Sequence, residues 1–161
     1  MKRLVVLPII LMLLCGCSPM ETAKPVIENT SFVAQIDYND SQYTCDVEVF
    51  EKSLNLTVVE PNEINGLKLK VDKNDITAEY KGISYTPDFN NMPQGAVIQI
   101  LYSIIENIKN KTIEFSGENG AIQGEVNSCD YVFTFSPSGL PLTLEIDDID
   151  LKIEFKNVAL K

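Results

Sequence analysis

From Thr30 onward, apolar and polar residues alternate with period two, the signature of strands with one dry and one wet face. Phe32, Ala34, Ile36 and Tyr38 alternate with Val33, Gln35 and Asp37, and Asn39-Asp40-Ser41 follows as a turn. Tyr43, Cys45, Val47 and Val49 make a second run, and Leu54, Leu56 and Val58 a third. Pro61 to Gly66 reads as one helical turn, opened by Pro and stopped by Gly. Leu67, Leu69 and Val71 resume the alternation. Ile76, Ala78 and Tyr80 then share one parity while Ile83 and Tyr85 take the other, which predicts a bulge at Lys81-Gly82. Further runs are Ile113 to Phe115, Ile122 to Val126, Tyr131 to Phe135, Leu142 to Ile146 and Leu151 to Phe155, giving about ten strands. Such alternation belongs to antiparallel sheets.

One stretch departs from this period. Val97, Leu101, Ile104, Ile105 and Ile108 recur at helical spacing, with Gln99, Ser103, Glu106 and Asn110 on the opposite stripe. Pro93 suits the first turn, and Lys109 and Lys111 suit the end, where cations favour the helix dipole. A helix of about 16 residues is roughly 24 Å long, whereas ten strands laid flat span about 50 Å. The helix cannot cover that sheet, so the dry face must curl around it. The predicted fold class is therefore α+β, mainly β: a curved antiparallel half-barrel of about ten strands with one long helix packed in its concave face. No repeat or internal boundary divides residues 30–161, which read as a single domain.

The amino terminus carries an export pattern. Lys2 and Arg3 precede an eleven-residue apolar run, Leu4 to Leu14, too short for a membrane span of about 20 residues. The run ends in Leu14-Cys15-Gly16-Cys17, a bacterial lipobox, so residues 1–16 are expected to be a signal peptide and Cys17 the lipid-bearing first mature residue. Cys15 is the weaker candidate because it follows Leu14, where the peptidase needs a small residue. Two or three acyl chains on Cys17 suffice for stable anchoring. Residues 17–29, with Pro19 and Pro25, then read as lipidated Cys and tether. The expected location is the bacterial cell envelope, anchored by lipid on the extracytoplasmic side of the membrane.

Charge narrows the function classes. The chain of 161 residues holds 13 Lys+Arg and 23 Asp+Glu, no His and no Trp. Without residues 1–16 it keeps eleven cations, all Lys, against 23 acids, a net charge of −12. Nucleic acid needs clustered cations and Arg forks, so it is not an expected partner. Absence of His removes Ser-His-Asp and Cys-His nucleophile systems and His-based zinc sites. No enzyme, cofactor or metal is expected. Asp147, Asp148 and Asp150 lack the spaced ligands and Gly of a calcium loop and read as a solvated turn.

Export makes a disulfide chemically accessible to Cys45 and Cys129. Both sit at dry parity, Cys45 with Val47 and Cys129 with Tyr131 and Phe133, so they are expected on the same side of the sheet. Bridged, they would close a loop of about 85 residues worth ~4–5 kcal/mol in the chain-entropy treatment. The alternative is two buried thiols acting as small hydrophobes.

Taken in order, the lipobox, the Phe32-x-Ala34-x-Ile36 strand, the Pro61 to Leu67 turn, the Tyr80-Lys81-Gly82-Ile83-x-Tyr85 strand, one apolar helix and the Tyr131-x-Phe133-x-Phe135-x-Pro137-x-Gly139-x-Pro141 run, then Phe155-x-Asn157, resemble the LolA/LolB-type lipoprotein carriers and their lipid-anchored relatives. The resemblance implies a half-barrel whose apolar cavity holds acyl chains. The soluble carriers also keep an early-strand Arg that holds the lid and have more helix; this mature chain has no Arg.

Two functional classes follow. The first is an anchored carrier or binder of a lipid or acylated ligand, with a cavity lined by Phe32, Ile36, Val47, Leu56, Leu69, Tyr80, Leu101, Ile105, Phe133, Leu144 and Phe155. The second is an interaction or sensor module with a filled core that meets another envelope protein. A pocket of roughly 300 Å³ or more separates them. Thr86 to Gln94 is either a lid carrying Phe89 and Met92, or a surface loop whose Phe89 packs on the helix end.

Overall fold

The computed structural model describes residues 21–73, 75–87, 96–116 and 119–161. The signal peptide and Cys17, and the lid residues Phe89 and Met92, lie outside these residues. Alternation dominates what is described. Strands β2 (Thr30–Tyr38), β3 (Ser41–Val49), β4 (Ser53–Glu60), β5 (Lys68–Asp72) and β6 (Asp75–Tyr80) follow one another as an antiparallel meander. On their inner face Phe32, Ala34, Ile36, Val47, Leu54, Val71 and Ile76 are buried. Past α1 (Val97–Ile108), the one α-helix among the described residues, come β8 (Ile113–Ser116), β9 (Asn119–Val126), β10 (Cys129–Phe135), β11 (Pro141–Ile146) and β12 (Leu151–Leu160). Strands β12 and β2 pair and join the two halves; with the short strands β1 (Thr22–Ala23) and β7 (Ile83–Tyr85) at its edges, the sheet has the order β1-β8-β9-β10-β11-β12-β2-β3-β4-β5-β6-β7, open at both edges.

The half-barrel is visible in what α1 touches. It packs against β9 on one side and against β4 and β5 on the other. Strands β9 and β5 are seven spacings apart in the sheet, about 34 Å if it were flat. A helix is only about 10–12 Å across, so the sheet must wrap around it. The inner stripe of α1 is buried through Ile98, Ile100, Leu101, Ile104, Ile105 and Ile108. Aromatic rings fill the trough beside it: Phe133 stacks on Phe135 at 4.6 Å and on Phe155 at 5.2 Å, and Phe32 meets Phe155 edge-on at 4.9 Å.

Three expectations are corrected. Lys81-Gly82 is no bulge but the two-residue turn of a hairpin between β6 and β7 (Ile83–Tyr85), with both residues at positive φ. A bulge and a two-residue turn both shift parity by one, so alternation alone could not separate them. Residues 22–29 are not a free tether. Thr22–Ala23 forms β1, paired with β8 at the first edge, and Ile27 is 1% exposed in the core. The backbone N–H of Val26 donates to Gly139 O at 2.8 Å, and Thr30 Oγ1 donates to Ile27 O at 2.6 Å. The third correction is the disulfide: Cys45 and Cys129 are both free thiols. Both do share dry parity, yet Cys45 lies on β3 and Cys129 on β10, four spacings apart through β11, β12 and β2. Four spacings are about 19 Å along the sheet, and a disulfide needs Cα atoms within about 7 Å. Parity reports the face of a residue; it carries nothing about strand order.

Antiparallel pairing sends alternate turns to opposite ends of the half-barrel. One end holds the β2–β3, β4–β5, β6–β7, β9–β10 and β11–β12 connections. The other holds the β3–β4, β5–β6, β8–β9 and β10–β11 connections and the C-terminus of α1, where Lys109 Nζ donates to Glu51 O and pairs with Glu106 and, at 3.3 Å, with Glu28. Residues 24–29 cross this second end, and Ile27 plugs it. It is the closed end. Burial alone would lower the Lys109 pKa, but Glu106 and Glu28 outweigh it and the net shift is upward.

Gly139 and Gly82 have nearly equal φ, +81° and +80°, but a Cβ on Gly139 would lie 2.4 Å from Lys24 O while one on Gly82 meets nothing. Gly82→Ala is expected to cost about 1 kcal/mol from backbone strain alone, and Gly139→Ala clearly more. Urea unfolding of both variants measures the difference; equal costs would show that Lys24 does not pack on the β10–β11 turn. Burial, then the neighbouring Asp46 charge, pushes the Cys45 thiol from 9.0 up to about 11. In native protein, iodoacetamide is therefore expected to label Cys129 and spare Cys45, with both labelled in urea, as read by peptide mass. The unfolded chain releases the Cys45 proton first, so this thiol's contribution to stability is intact below pH 9.0 and lost as pH rises to about 11.

Candidate functional site

The concave face is longer than the helix that covers it. Strands β2 and β3 have nine residues each, about 30 Å of extended chain, against about 18 Å for the twelve residues of α1. With α1 docked at the closed end through Lys109, the stretch that α1 itself does not cover lies beyond its N-terminus. There the inner face opens into a groove of about 280 Å³.

Six elements build the groove. Ile36, Tyr38, Tyr43 and Cys45 come from β2 and β3, and Leu56 and Val58 from β4. Ile64, Leu67 and Leu69 come from the 3-10 turn Asn62–Ile64 and the start of β5. Ala96, Val97 and Ile98 close it from the helix. The 3-10 turn is held over the sheet by backbone bonds between strand and loop: Val58 N–H donates to Leu67 O at 2.9 Å, and Gly66 N–H to Val58 O at 2.8 Å. Tyr80 Oη donates to Glu63 O at 2.6 Å, which fixes the outer side of the same turn.

Among the described residues no charged side chain lines the groove, and burial raises the pKa of its Cys45 thiol. A slot with this apolar lining suits an alkyl or aromatic group. The rim differs. Next to Tyr38, a shallow solvent-open hollow of about 550 Å³ is lined by Asp37, Asp40, Asp150 and Lys152. That hollow is lined mainly by charged and polar side chains; the apolar slot is the groove.

Of the eleven side chains expected to line a cavity, Ile36, Leu56 and Leu69 do so. Phe32, Val47, Leu101, Ile105, Phe133, Leu144 and Phe155 are buried in the packed core instead, and Tyr80 is a half-buried rim residue bonded to Glu63. Strand parity missed Tyr38, Tyr43, Val58, Ile64, Leu67, Val97 and Ile98. Their available signal was position: Tyr38 and Tyr43 flank the Asn39-Asp40 turn at dry parity, beyond any span a helix starting near residue 97 could cover. Asp147 and Asp148 are exposed on the 3-10 turn Asp147–Ile149.

No protein-family model matches the sequence, and comparison with curated proteins finds no match. Among solved structures, the crystal structure of a LolA superfamily protein from Nitrosomonas europaea is similar in outline, at 9% identity and a TM-score of 0.44 over 86% of this chain and 88% of that one.

Proposed function

We propose that the protein is a lipid-anchored, extracytoplasmic lipoprotein of the bacterial cell envelope that binds the apolar chain of a lipid or acylated ligand in the groove beyond the helix N-terminus. The observation that carries this reading is a groove of about 280 Å³, with no charged side chain among the described residues that line it, in a half-barrel whose described interior is otherwise packed. Pockets that enclose whole drug-sized ligands are about 300–1,000 Å³, so the groove suits one chain while the rest of the ligand stays outside. Each methylene buried there adds about 0.8 kcal/mol. Ligand binding and release involve no bond making, and the protein is read as a binder, not an enzyme. The filled-core reading, an envelope interaction module, draws on a different observation: seven of the expected cavity residues are core.

The rim, where Asp37, Asp40 and Asp150 outnumber Lys152, adds a selection. Carboxylates beside the opening repel an anionic head and attract a cationic one, so the ligand class favoured is a chain with a neutral or cationic head.

Binding of a fluorescent acyl probe to the full chain tests this function. Val97→Glu places a charge at the half-buried lip of the groove and is expected to weaken the probe about tenfold, the equivalent of ~1.4 kcal/mol. Ile83→Ser, at a residue 75% exposed on β7 and outside the groove, should leave affinity unchanged. Dodecylamine should displace the probe at lower concentration than laurate, with the gap narrowing in high salt. A wild-type protein that binds no acyl probe moves the assignment to the interaction module. Separately, Cys17→Ala is expected to release the protein from membranes with its thermal midpoint unchanged, because Cys17 precedes the first paired strand by five residues. Sedimentation with membranes in high salt would refute the anchor.

A further inference from the structure

The β4–β5 connection roofs the groove, and one of the bonds that hold it down can be lost by chemistry of the chain's own. Ile64 and Leu67 reach into the groove from this connection. Besides its two backbone bonds to Val58 and the Tyr80 bond to Glu63, Asn65 Nδ2 donates to Val59 O. Asn65 is exposed and does not itself line the groove. Its side chain acts only on where the roof sits.

Asn65 is followed by Gly66, which has φ +82° and no heavy atom within 4 Å of where a Cβ would stand. Without a side chain, the glycine nitrogen can approach the asparagine closely. The Gly66 nitrogen bonds to Asn65 Cγ, the Cγ–Nδ2 bond breaks, and ammonia leaves carrying the proton that Gly66 gave up. Water then opens the cyclic imide to aspartate or to its β-linked isomer. In aspartate a carboxylate replaces the donor, so acceptor faces acceptor at Val59 O; the isomer reroutes the backbone itself. In the folded chain both reacting groups are engaged, Gly66 N–H with Val58 O at 2.8 Å and Nδ2 with Val59 O. The attack therefore waits until the turn lifts from β4. The chain's other Asn-Gly pair, Asn119-Gly120, differs: Gly120 is buried in β9 and paired with both β8 and β10.

We propose that Asn65 is a positioning residue for the groove roof, and that its conversion to aspartate, gated by lifting of the turn, is a one-way switch that weakens ligand binding. A ligand packed on Ile64 and Leu67 holds the turn down and slows the conversion. The switch rests on the function proposed above; the positioning role does not.

The full chain is incubated in mildly alkaline buffer with and without dodecylamine, and conversion is read by peptide mass. Dodecylamine at about ten times its Kd is expected to slow conversion at Asn65 about tenfold, with Asn119 unconverted in both samples. Asn65→Asp and Asn65→Ala should speed hydrogen exchange at the Gly66 and Val58 amides, and Asn65→Asp should weaken a fluorescent acyl probe about fivefold with the thermal midpoint almost unmoved. Asn62→Asp, an exposed position of the same turn, separates added charge from loss of the donor and should change neither. Unchanged exchange in both Asn65 variants overturns the positioning role. Faster exchange with unchanged probe affinity, or conversion equally fast with and without dodecylamine, overturns the switch. A wild-type chain that binds neither compound overturns the function proposed above and the switch with it, while exchange still decides the positioning role.

Discussion

The double contact of α1, with β9 on one flank and with β4 and β5 on the other, is the constraint on which the rest of the molecule depends. Twelve strands in one sheet expose an apolar face that water will not tolerate. A helix narrower than the sheet can shield that face only if the sheet bends toward it. Bending brings Phe32, Phe133, Phe135 and Phe155 together across β2, β10 and β12, and those rings fill the part of the trough that the helix leaves. Curvature, core and aromatic packing are thus one solution to one burial problem.

The two ends of the half-barrel then become unequal. At the helix C-terminus, Lys109 binds the β3–β4 turn and Glu28 at once, and Ile27 seals the gap beneath. At the other end the 3-10 turn at Asn62–Ile64 reaches over the sheet, but the lining side chains Tyr38, Tyr43, Ile64 and Leu67 stay half-buried. The groove is what remains when a twelve-residue helix, fixed at one end, meets nine-residue strands.

Sequence alternation identified which side chains face inward because a strand's period is two and its wet face is charged. It placed Phe133, Ile36 and Leu144 correctly on the dry face. It had no access to what covers that face. Phe133 and Ile36 have the same parity signal, yet one is sealed under aromatic rings and the other opens onto the groove, because coverage depends on where α1 stops. Strand order was equally hidden, which is how two thiols of matching parity came to be expected in one bridge. The docking of Thr22–Ala23 and Ile27 was missed because two residues are too few to show a period, and Pro25 resembles linker composition. Curvature itself was legible, since it follows from comparing one helix with ten strands.

Under the proposed function, the groove and its rim act on different parts of a ligand, and their separation follows from the same geometry. Inside, burial by neighbouring strands keeps even the Cys45 thiol protonated, so a charge carried in would lose its hydration without gaining a partner. Outside, the turns at the mouth carry Asp37, Asp40 and Asp150 in water, where they act on a charged head only through a screened field. The interior term is large and indifferent to identity, since any alkyl chain satisfies it. The rim term is small and discriminating, since it changes sign with the head. A binding site arranged this way draws its affinity from chain length and its selectivity from the head, and both properties trace to a helix that ends before the strands do.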